Sequence, residues 1–310
     1  MSKIHEALKK AQLEREAILQ GTTGTVTSEN LALGAAPSEA VVPAVASDGS
    51  AISEREQVPV QKDFLRLELL QERCTKPTWK IDPAASVFSG AHAPNGGAEQ
   101  FRTLRSRLYR LREIRPIRSL LVTSPLAGDG KTFVASNLAQ AIARQRDQRV
   151  LLIDGDLRCS KLHEPLGAPK VPGLSNYLRG EADEFAIIQH GAKDNLCFIP
   201  GGDAVPDPAE LIAGVRLRNL LERLAPVFEW TIIDSPPVLP VSDATLLADL
   251  CDGVLMVVRA GVTNFDATQR ACQEFRERNL LGVILNGADQ NHSYDAYHYA
   301  YDSGRNRKRE

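Results

Sequence analysis

The sequence has few aromatic residues, no paired cysteines and no long apolar run. Aromatic residues make up 5% of the 310 residues. The five cysteines stand far apart with no C-x-x-C pair, which argues against a disulfide framework or a zinc site. No apolar stretch is long enough to span a bilayer, and the N-terminus lacks the pattern of a signal peptide. We therefore expect a soluble protein of a reducing cytoplasm, whose membrane association comes through a partner.

Net charge and chain length indicate which partners to expect and how many domains the chain can form. The net charge of −2 provides no general attraction to nucleic acid or anionic lipid, and we expect no nucleic-acid partner. With 43% hydrophobic residues, the chain can bury a full core. Its length fits one large domain or two small ones.

A phosphate-binding loop is the clearest motif. Residues 120–132 read LLVTSPLAGDGKT, an apolar run that ends in a turn of small residues and Gly-Lys-Thr. Pro125 occupies the first glycine position of the usual pattern, but a strand precedes the loop and a helical pattern follows it. An ordinary glycine-rich turn is the alternative. The predicted nucleotide-binding residues here are Ala127, Gly128, Asp129, Gly130, Lys131, Thr132 and Phe133.

Strand and helix patterns alternate after residue 98. Apolar runs at 119–124, 150–153, 196–199, 230–233, 253–258 and 282–285 predict strands that are buried on both faces. Helical patterns occupy 132–144, 209–224, 243–250 and 266–278. This alternation predicts an α/β fold, a P-loop NTPase-like, mostly parallel sheet flanked by helices.

Three carboxylates directly follow predicted strands. Asp154 and Asp156 come after the second strand, and Asp234 follows a later one. One such Asp usually caps a helix or turn, but ligands of parallel sheets bind at the carboxyl ends of strands. Thr132 with Asp156 or Asp234 is therefore the predicted Mg²⁺ site. Arg158 is predicted either to stabilise phosphate charge or to pair with a carboxylate.

Composition divides the chain into four parts. Residues 1–20 predict an amphipathic helix, either solvated or docking a partner. Residues 21–97 are expected to be a largely disordered linker with a brief helix within 61–73, residues 98–290 the catalytic domain, and residues 291–310 a tyrosine-rich tail. A helix after residue 98 carries Glu99, Arg102 and Arg105 at three-residue spacing, as in an intrahelical charge ladder.

The tail holds most of the tyrosines. Of six in the chain, four lie in the last seventeen residues: Tyr294, Tyr297, Tyr299 and Tyr301. The neighbouring residues favour no packed structure. We predict a cluster of phosphate acceptors, with a sticky or edge-pairing tail as the alternative.

These motifs resemble the Walker A, A′ and B motifs of the bacterial tyrosine kinases of capsule and exopolysaccharide loci: Ser124–Thr132, Asp154-x-Asp156-x-Arg158 and Asp234-x-x-Pro237. The resemblance implies ATP and Mg²⁺ as cofactors, with Lys131, Asp154, Asp156, Asp234 and Arg158 as catalytic residues and Asp154 as the base. It also implies that Pro206–Leu211, Arg259 and Asn286 lie near the nucleotide, with Asn286 in the adenine pocket. The first eleven residues resemble the exosortase-linked (PEP-CTERM locus) autokinases.

The same resemblance implies how the protein assembles and acts. Glu99, Arg102 and Arg105 match the family's oligomerisation helix, so we expect a ring-like homo-oligomer that phosphorylates its tail tyrosines in trans and regulates exopolysaccharide synthesis or export. Some family members carry a fused transmembrane activator. Here we expect a separate membrane protein of the polysaccharide co-polymerase type, which recruits the kinase to the inner face of the membrane, and further protein-tyrosine substrates.

Two other functions compete with this prediction. One is a partition or septum-site ATPase of the same fold, which switches between dimer and monomer on DNA or a membrane. Such proteins have a signature lysine at the position where this chain has Leu126. The other is a catalytically silent nucleotide-binding scaffold. The missing lysine and the tyrosine tail favour a protein-tyrosine kinase over the partition ATPase.

Overall fold

The computed structural model describes residues 64–89, 96–191 and 195–288. The predicted N-terminal helix, most of the linker and the four tail tyrosines lie outside these ranges. No helix within them is both long and apolar enough to cross a membrane.

The described residues form a seven-stranded sheet in the order β3-β4-β2-β5-β1-β6-β7. Every neighbouring pair is parallel except β3 and β4, which are antiparallel. The mostly parallel P-loop fold is therefore confirmed. The strands are Ser119–Thr123 (β1), Val150–Asp154 (β2), Gln189–His190 (β3), Leu196–Ile199 (β4), Trp230–Asp234 (β5), Gly253–Arg259 (β6) and Leu280–Asn286 (β7).

Helices cover both faces of this sheet. They are Leu67–Arg73 (α1), Gly96–Ile114 (α2), Lys131–Ala143 (α3), His163–Leu166 (α4), Leu174–Arg179 (α5), Glu184–Ile187 (α6), Pro208–Ala213 (α7), Val215–Leu224 (α8), Asp243–Ala248 (α9) and Phe265–Glu274 (α10). In β2, Leu151 and Ile153 enter the core cluster on one face, and Val150 and Leu152 enter the cluster on the other. This two-sided burial explains why the strands read as continuous apolar runs.

The predicted linker ends earlier than expected. Residues 64–89 pack onto the domain: Leu70 is fully buried, Trp79 is 7% exposed, and Thr75 forms a bridge with Gln189 of β3. The N–H of Val87 donates to Asn137 Oδ1 of α3 at 2.9 Å. The boundary predicted at residue 98 was therefore wrong, because these scattered apolar residues bury only against distant parts of the chain.

The helix predicted over 209–224 is two helices. It is interrupted at Gly214, which adopts an extended conformation with ψ of 157° between α7 and α8. Glycine is a poor helix former, so the break at this position costs little. The sequence analysis also missed β3 and the short helices α4, α5 and α6, which are too short to show a clear period.

Candidate active site

The loop between β1 and α3 has the geometry of a phosphate-binding loop. Gly128 and Gly130 have φ angles of 90° and 93°, in the left-handed region that other residues rarely adopt. A side chain at position 130 would also overlap Asn286 Nδ2. The first turn of α3 holds no acidic residue and no side chain caps it. Its backbone N–H groups can therefore bind an anion.

The sheet order brings the strand-end acids to this loop. β5 lies between β1 and β2, and Asp154 and Asp234 occupy paired positions on the neighbouring strands β2 and β5. The N–H of Gly155 donates to the backbone carbonyl of Asp234 at 2.8 Å. The carboxyl ends of three adjacent strands thus meet at one place, as the sequence predicts.

The first two residues of α3 contact these acids directly. The Thr132 hydroxyl donates to Asp234 Oδ2 at 2.7 Å. Lys131 Nζ lies 3.2 Å from Asp156 Oδ2. The predicted phosphate-binding lysine, the predicted metal-binding hydroxyl and two predicted carboxylates therefore form one cluster.

Burial and charge shift the pKa values in this cluster. Burial, reinforced by the nearby Asp234 carboxylate, raises the pKa of Asp154 to about 7. Burial also raises the pKa of Asp234 to about 6, against the opposing effect of Lys131. Burial lowers the pKa of Lys131, but the carboxylates of Asp234 and Asp156 outweigh it and raise that pKa overall. The ammonium group therefore stays charged at physiological pH.

One carboxylate oxygen in the cluster has no donor. Asp234 Oδ1 is buried and unpartnered among the described residues, and such groups are rare in folded proteins. No three His, Cys, Asp or Glu side chains form a metal cluster in the described ranges. The residues instead fit a Mg²⁺ ion that the Thr132 hydroxyl and one or two carboxylates would hold, together with phosphate oxygens and water.

The Asp154 carboxylate accepts its hydrogen bonds from the loop that follows β2. The side chain is fully buried, and its Oδ1 accepts from the Asp156 N–H at 3.1 Å. Its Oδ2 accepts from the Ser160 hydroxyl at 2.8 Å and from the Leu162 N–H at 3.1 Å. In this arrangement Asp154 holds the loop after β2 in place.

Arg158 pairs with a carboxylate, which is one of its two predicted roles. Its Nε and one terminal nitrogen donate to the two oxygens of Asp243 at 2.8 and 2.9 Å. Sequence reasoning missed Asp243, since an acid at the start of a helix usually acts as a cap.

Comparisons with known proteins decide between the candidate functions. Residues 120–303 match the family model "CobQ/CobB/MinD/ParA nucleotide binding domain". The chain is 31% identical to Tyrosine-protein kinase YwqD of Bacillus subtilis over 209 residues, which are 66% of this chain and 88% of that protein. The chain belongs to the bacterial tyrosine-protein kinases.

Longer relatives and solved structures agree with this assignment. Tyrosine-protein kinase etk of Escherichia coli (strain K12) is 35% identical over 207 residues, which are 66% of this chain but 28% of that protein. The solved structure of the kinase domain of Escherichia coli tyrosine kinase ETK superposes with a TM-score of 0.62 at 31% identity, covering 74% of this chain and 92% of that chain. The chain thus corresponds to the kinase portion of such longer relatives.

In this tyrosine kinase, the ends of β6 and β7 hold the P-loop. Arg259 donates to the carbonyl of Gly128 at 3.1 Å. Asn286 Nδ2 donates to the carbonyl of Asp129 at 2.9 Å. The Thr263 hydroxyl bonds the Asp129 carboxylate, a contact that no motif indicated. Arg259 and Asn286 therefore both hydrogen-bond the backbone of the P-loop.

The remaining predicted nucleotide residues lie at the same edge or face a core. Ala127 is exposed at the loop tip. Phe133 instead packs edge-on against Phe101 of α2, with ring centroids 6.0 Å apart. Within 206–211, Asp207 lies close enough to Arg158 to raise its pKa, after the larger effect of the hydrogen bond to Asp243.

The predicted charge ladder on α2 is divided. Arg102 donates to Glu99 Oε2 at 2.8 Å, and both side chains are about half exposed. Arg105 instead donates to the carbonyl of Ala141 in the last turn of α3, at 2.7 Å. Arg105 therefore ties α2 to α3, whereas Glu99 and Arg102 remain on an exposed face.

Proposed function

We propose that this chain transfers the γ-phosphoryl group of ATP to tyrosine hydroxyls, and that the acceptors are the tail tyrosines of neighbouring copies. The observation that carries the proposal is the cluster of Lys131, Thr132 and the strand-end carboxylates at a loop shaped for phosphate. Phosphoryl transfer depends mostly on positioning and charge stabilisation. This cluster supplies a fixed cation and oxygen ligands for a metal at the open end of a helix.

Each residue of the cluster has a proposed part. The loop N–H groups and Lys131 bind and orient the phosphates. Thr132 and Asp234, with Asp156, hold Mg²⁺, which when bound offsets the negative charge of the phosphate oxygens. Because Asp156 already faces Lys131, it orients the ammonium as well.

Asp154 is the proposed base for the tyrosine hydroxyl. A tyrosine hydroxyl has a pKa of about 10 and needs an acceptor for its proton. A carboxylate whose pKa is raised to about 7 can hold that proton near neutral pH. To reach a substrate, Asp154 must exchange one of its present donors. The Ser160 hydroxyl can rotate away most easily, since Leu162 donates from the backbone.

Burial of the other tyrosines supports the tail as the acceptor. Tyr109 stacks on Trp230 with ring centroids 5.6 Å apart, and its hydroxyl donates to Gln145. Tyr177 is 8% exposed in the core. Tyr177 could not enter an active site without local unfolding, and Tyr109 would have to give up its stacking on Trp230 and its hydrogen bond to Gln145. The other four of the six tyrosines are in the tail, outside the described residues.

The assembly and cellular setting are also part of the proposal. Trans-phosphorylation requires neighbouring copies, and the exposed Glu99–Arg102 pair on α2 is the proposed contact within a ring-like homo-oligomer. A separate membrane protein of the polysaccharide co-polymerase type would activate the kinase and recruit it to the inner membrane face. Its output would be regulation of exopolysaccharide synthesis or export, through its own tail and other protein substrates.

A mixing experiment tests both the acceptor and the direction of transfer. One partner is Lys131→Met with an intact tail, and the other is an intact kinase whose four tail tyrosines are changed to Phe. With Mg·ATP, neither alone should label appreciably. The mixture should place phosphotyrosine on the tail of the Lys131→Met chain, as read by mass spectrometry. Full labelling of the Phe variant alone, or no labelling of the mixture while wild type labels, would refute the tail or the trans mechanism, respectively.

A further inference from the structure

The loop that follows β2 is tied to other elements on both sides of Asp156, to the end of β5 before it and to the start of α9 after it. Before Asp156, the Gly155 N–H donates to the carbonyl of Asp234 at 2.8 Å. After it, Arg158 makes a two-point ion pair with Asp243, the first residue of α9. Asp156 is thus held between two fixed points, both of which belong to the segment that leaves β5.

The second tie is a buried charge with a single counter-ion. The Asp243 side chain is completely buried, and Arg158 is the cation paired with it among the described residues. An unpaired carboxylate in this position would be costly. Because a guanidinium meets a carboxylate through two parallel hydrogen bonds, the pair fixes direction as well as distance. The Arg158 guanidinium is therefore fixed relative to α9, and this restricts the movement of the backbone that carries it.

That position reaches Asp156 through one peptide unit. The N–H of Cys159, the next residue, donates to Asp156 Oδ1 at 3.0 Å. The other oxygen, Oδ2, lies 3.2 Å from Lys131 Nζ. A displacement of Arg158 would thus move the group that orients the Asp156 carboxylate toward the lysine.

We propose that Arg158 and Asp243 are positioning residues: their ion pair holds the Asp156 carboxylate against Lys131 and thereby sets the geometry of the phosphate and metal end of the site. The inference rests on the proposed function, because it deepens the role of that same cluster. Removal of such supporting contacts typically lowers metal affinity or activity about 10- to 100-fold.

The chain contains a matched pair for comparison. Arg149, before β2, and Glu229, before β5, join the same two strands at their amino ends, with nitrogen-to-oxygen distances of 2.6 and 3.2 Å. This pair also has two hydrogen bonds, but it lies at the amino ends of the strands, whereas the P-loop lies at their carboxyl ends. A contribution to strand pairing alone should therefore be shared by both pairs, whereas positioning should be confined to Arg158 and Asp243.

The test replaces each pair by apolar residues of similar size, as Arg158→Met with Asp243→Leu and as Arg149→Met with Glu229→Leu. Asp243 is buried, but the other three side chains are 26–39% exposed, and thermal denaturation monitors any change in stability. Binding of a fluorescent ADP analogue is titrated with Mg²⁺ and repeated without metal. For the Arg158–Asp243 double variant we expect the half-saturating Mg²⁺ concentration to rise roughly 10-fold or more, a larger factor than any loss of metal-free ADP affinity. The control pair should leave both quantities nearly unchanged.

The single variant Arg158→Lys keeps the charge but loses the two-point geometry, and it covers the case in which the double variant does not fold. It should shift the Mg²⁺ requirement in the same direction by a smaller factor. A wild-type Mg²⁺ response in a folded Arg158 variant, or equal shifts from both ion pairs, would overturn the positioning role. Neither readout involves tyrosine transfer, so a failure of the proposed kinase activity would be recognised separately.

Discussion

Replacing Asp234 by Asn should stabilise the nucleotide-free protein and abolish most of its response to Mg·nucleotide. The two amino acids have nearly the same shape, and an Asn oxygen can still accept the Thr132 hydroxyl that Asp234 Oδ2 accepts at 2.7 Å. What changes is the charge, which is buried beside an oxygen without a donor. The substitution therefore separates the stability that the buried Asp234 charge costs the folded protein from the contribution of that charge to Mg·nucleotide binding.

The magnitude follows from the raised pKa. A shift from 3.8 to about 6 corresponds to a destabilisation of roughly 3 kcal/mol when the folded protein must hold the ionised form. The Asn amide would stand where Oδ1 has no partner, which costs about 1 kcal/mol. We expect a net gain of about 2 kcal/mol at pH 8, or roughly 4–8 °C in melting temperature.

The sign of the pH dependence is also determined. The folded state binds the Asp234 proton more tightly than the unfolded state, so protonation favours folding below pH 3.8 and this contribution is lost as the pH rises through about 6. The stability advantage of the Asn variant should therefore be largest above pH 7, and about one third as large at pH 5. Thermal denaturation of both proteins from pH 5 to 8 measures it.

Addition of Mg·ADP should make wild type more stable than the Asp234→Asn variant. A ligand that binds only the folded state raises stability with its concentration over Kd, and the variant has lost a proposed metal ligand. Wild type should gain several degrees and the variant little. A variant that is less stable than wild type at pH 8 without ligand would refute the electrostatic reasoning. A variant that gains as much as wild type from Mg·ADP would remove Asp234 from the metal site.

Four further predictions follow from the same contacts. Asp154→Asn should bind Mg·ATP in calorimetry yet lose nearly all phosphotyrosine; retained labelling would exclude it as the base. Glu99→Ala with Arg102→Ala should lower the oligomer mass in light scattering, although the exposed pair contributes only about 0.3–0.5 kcal/mol to folding. Arg105→Ala should instead lower the melting temperature by several degrees through the lost bond to α3, with unchanged mass. Gly130→Ala should weaken nucleotide binding, because alanine is strained at this left-handed φ and its methyl group would displace the Asn286 amide from the loop; wild-type affinity would contradict this.

Much of the fold could be predicted because its main strands and helices have characteristic patterns of neighbouring residues. Each central strand is a run of apolar residues buried on both faces, and the Gly-Lys-Thr turn marks the passage from β1 to α3. The gathering of Asp154 and Asp234 was also predictable, because parallel strands end at the same edge of a sheet. Short elements such as β3, with two residues, carry too little pattern to be found.

Partners far apart in sequence were not predictable. The sequence does not indicate which of several acidic residues pairs with Arg158. Only the packing of α9 brings Asp243, 85 positions away, into contact with it. Arg105 matches an oligomerisation motif, yet the approach of α3 gives it the carbonyl of Ala141, 36 positions away. Residues 64–89 look like linker until Leu70 and Trp79 meet the surfaces that bury them.

The sequence alone determined the main strands and helices of this kinase, their parallel arrangement and the phosphate-binding loop, because strand burial, helix starts and phosphate loops depend on neighbours a few positions apart. The tertiary structure decided which charge meets which: Lys131 with Asp156, Thr132 with Asp234, Arg158 with Asp243. It also decided which oxygen, Asp234 Oδ1, has no donor within the part of the chain that the structure describes. Long side chains reach several partners, and the energy of a buried charge depends on which one the packing of the sheet and its helices brings within 3 Å or so.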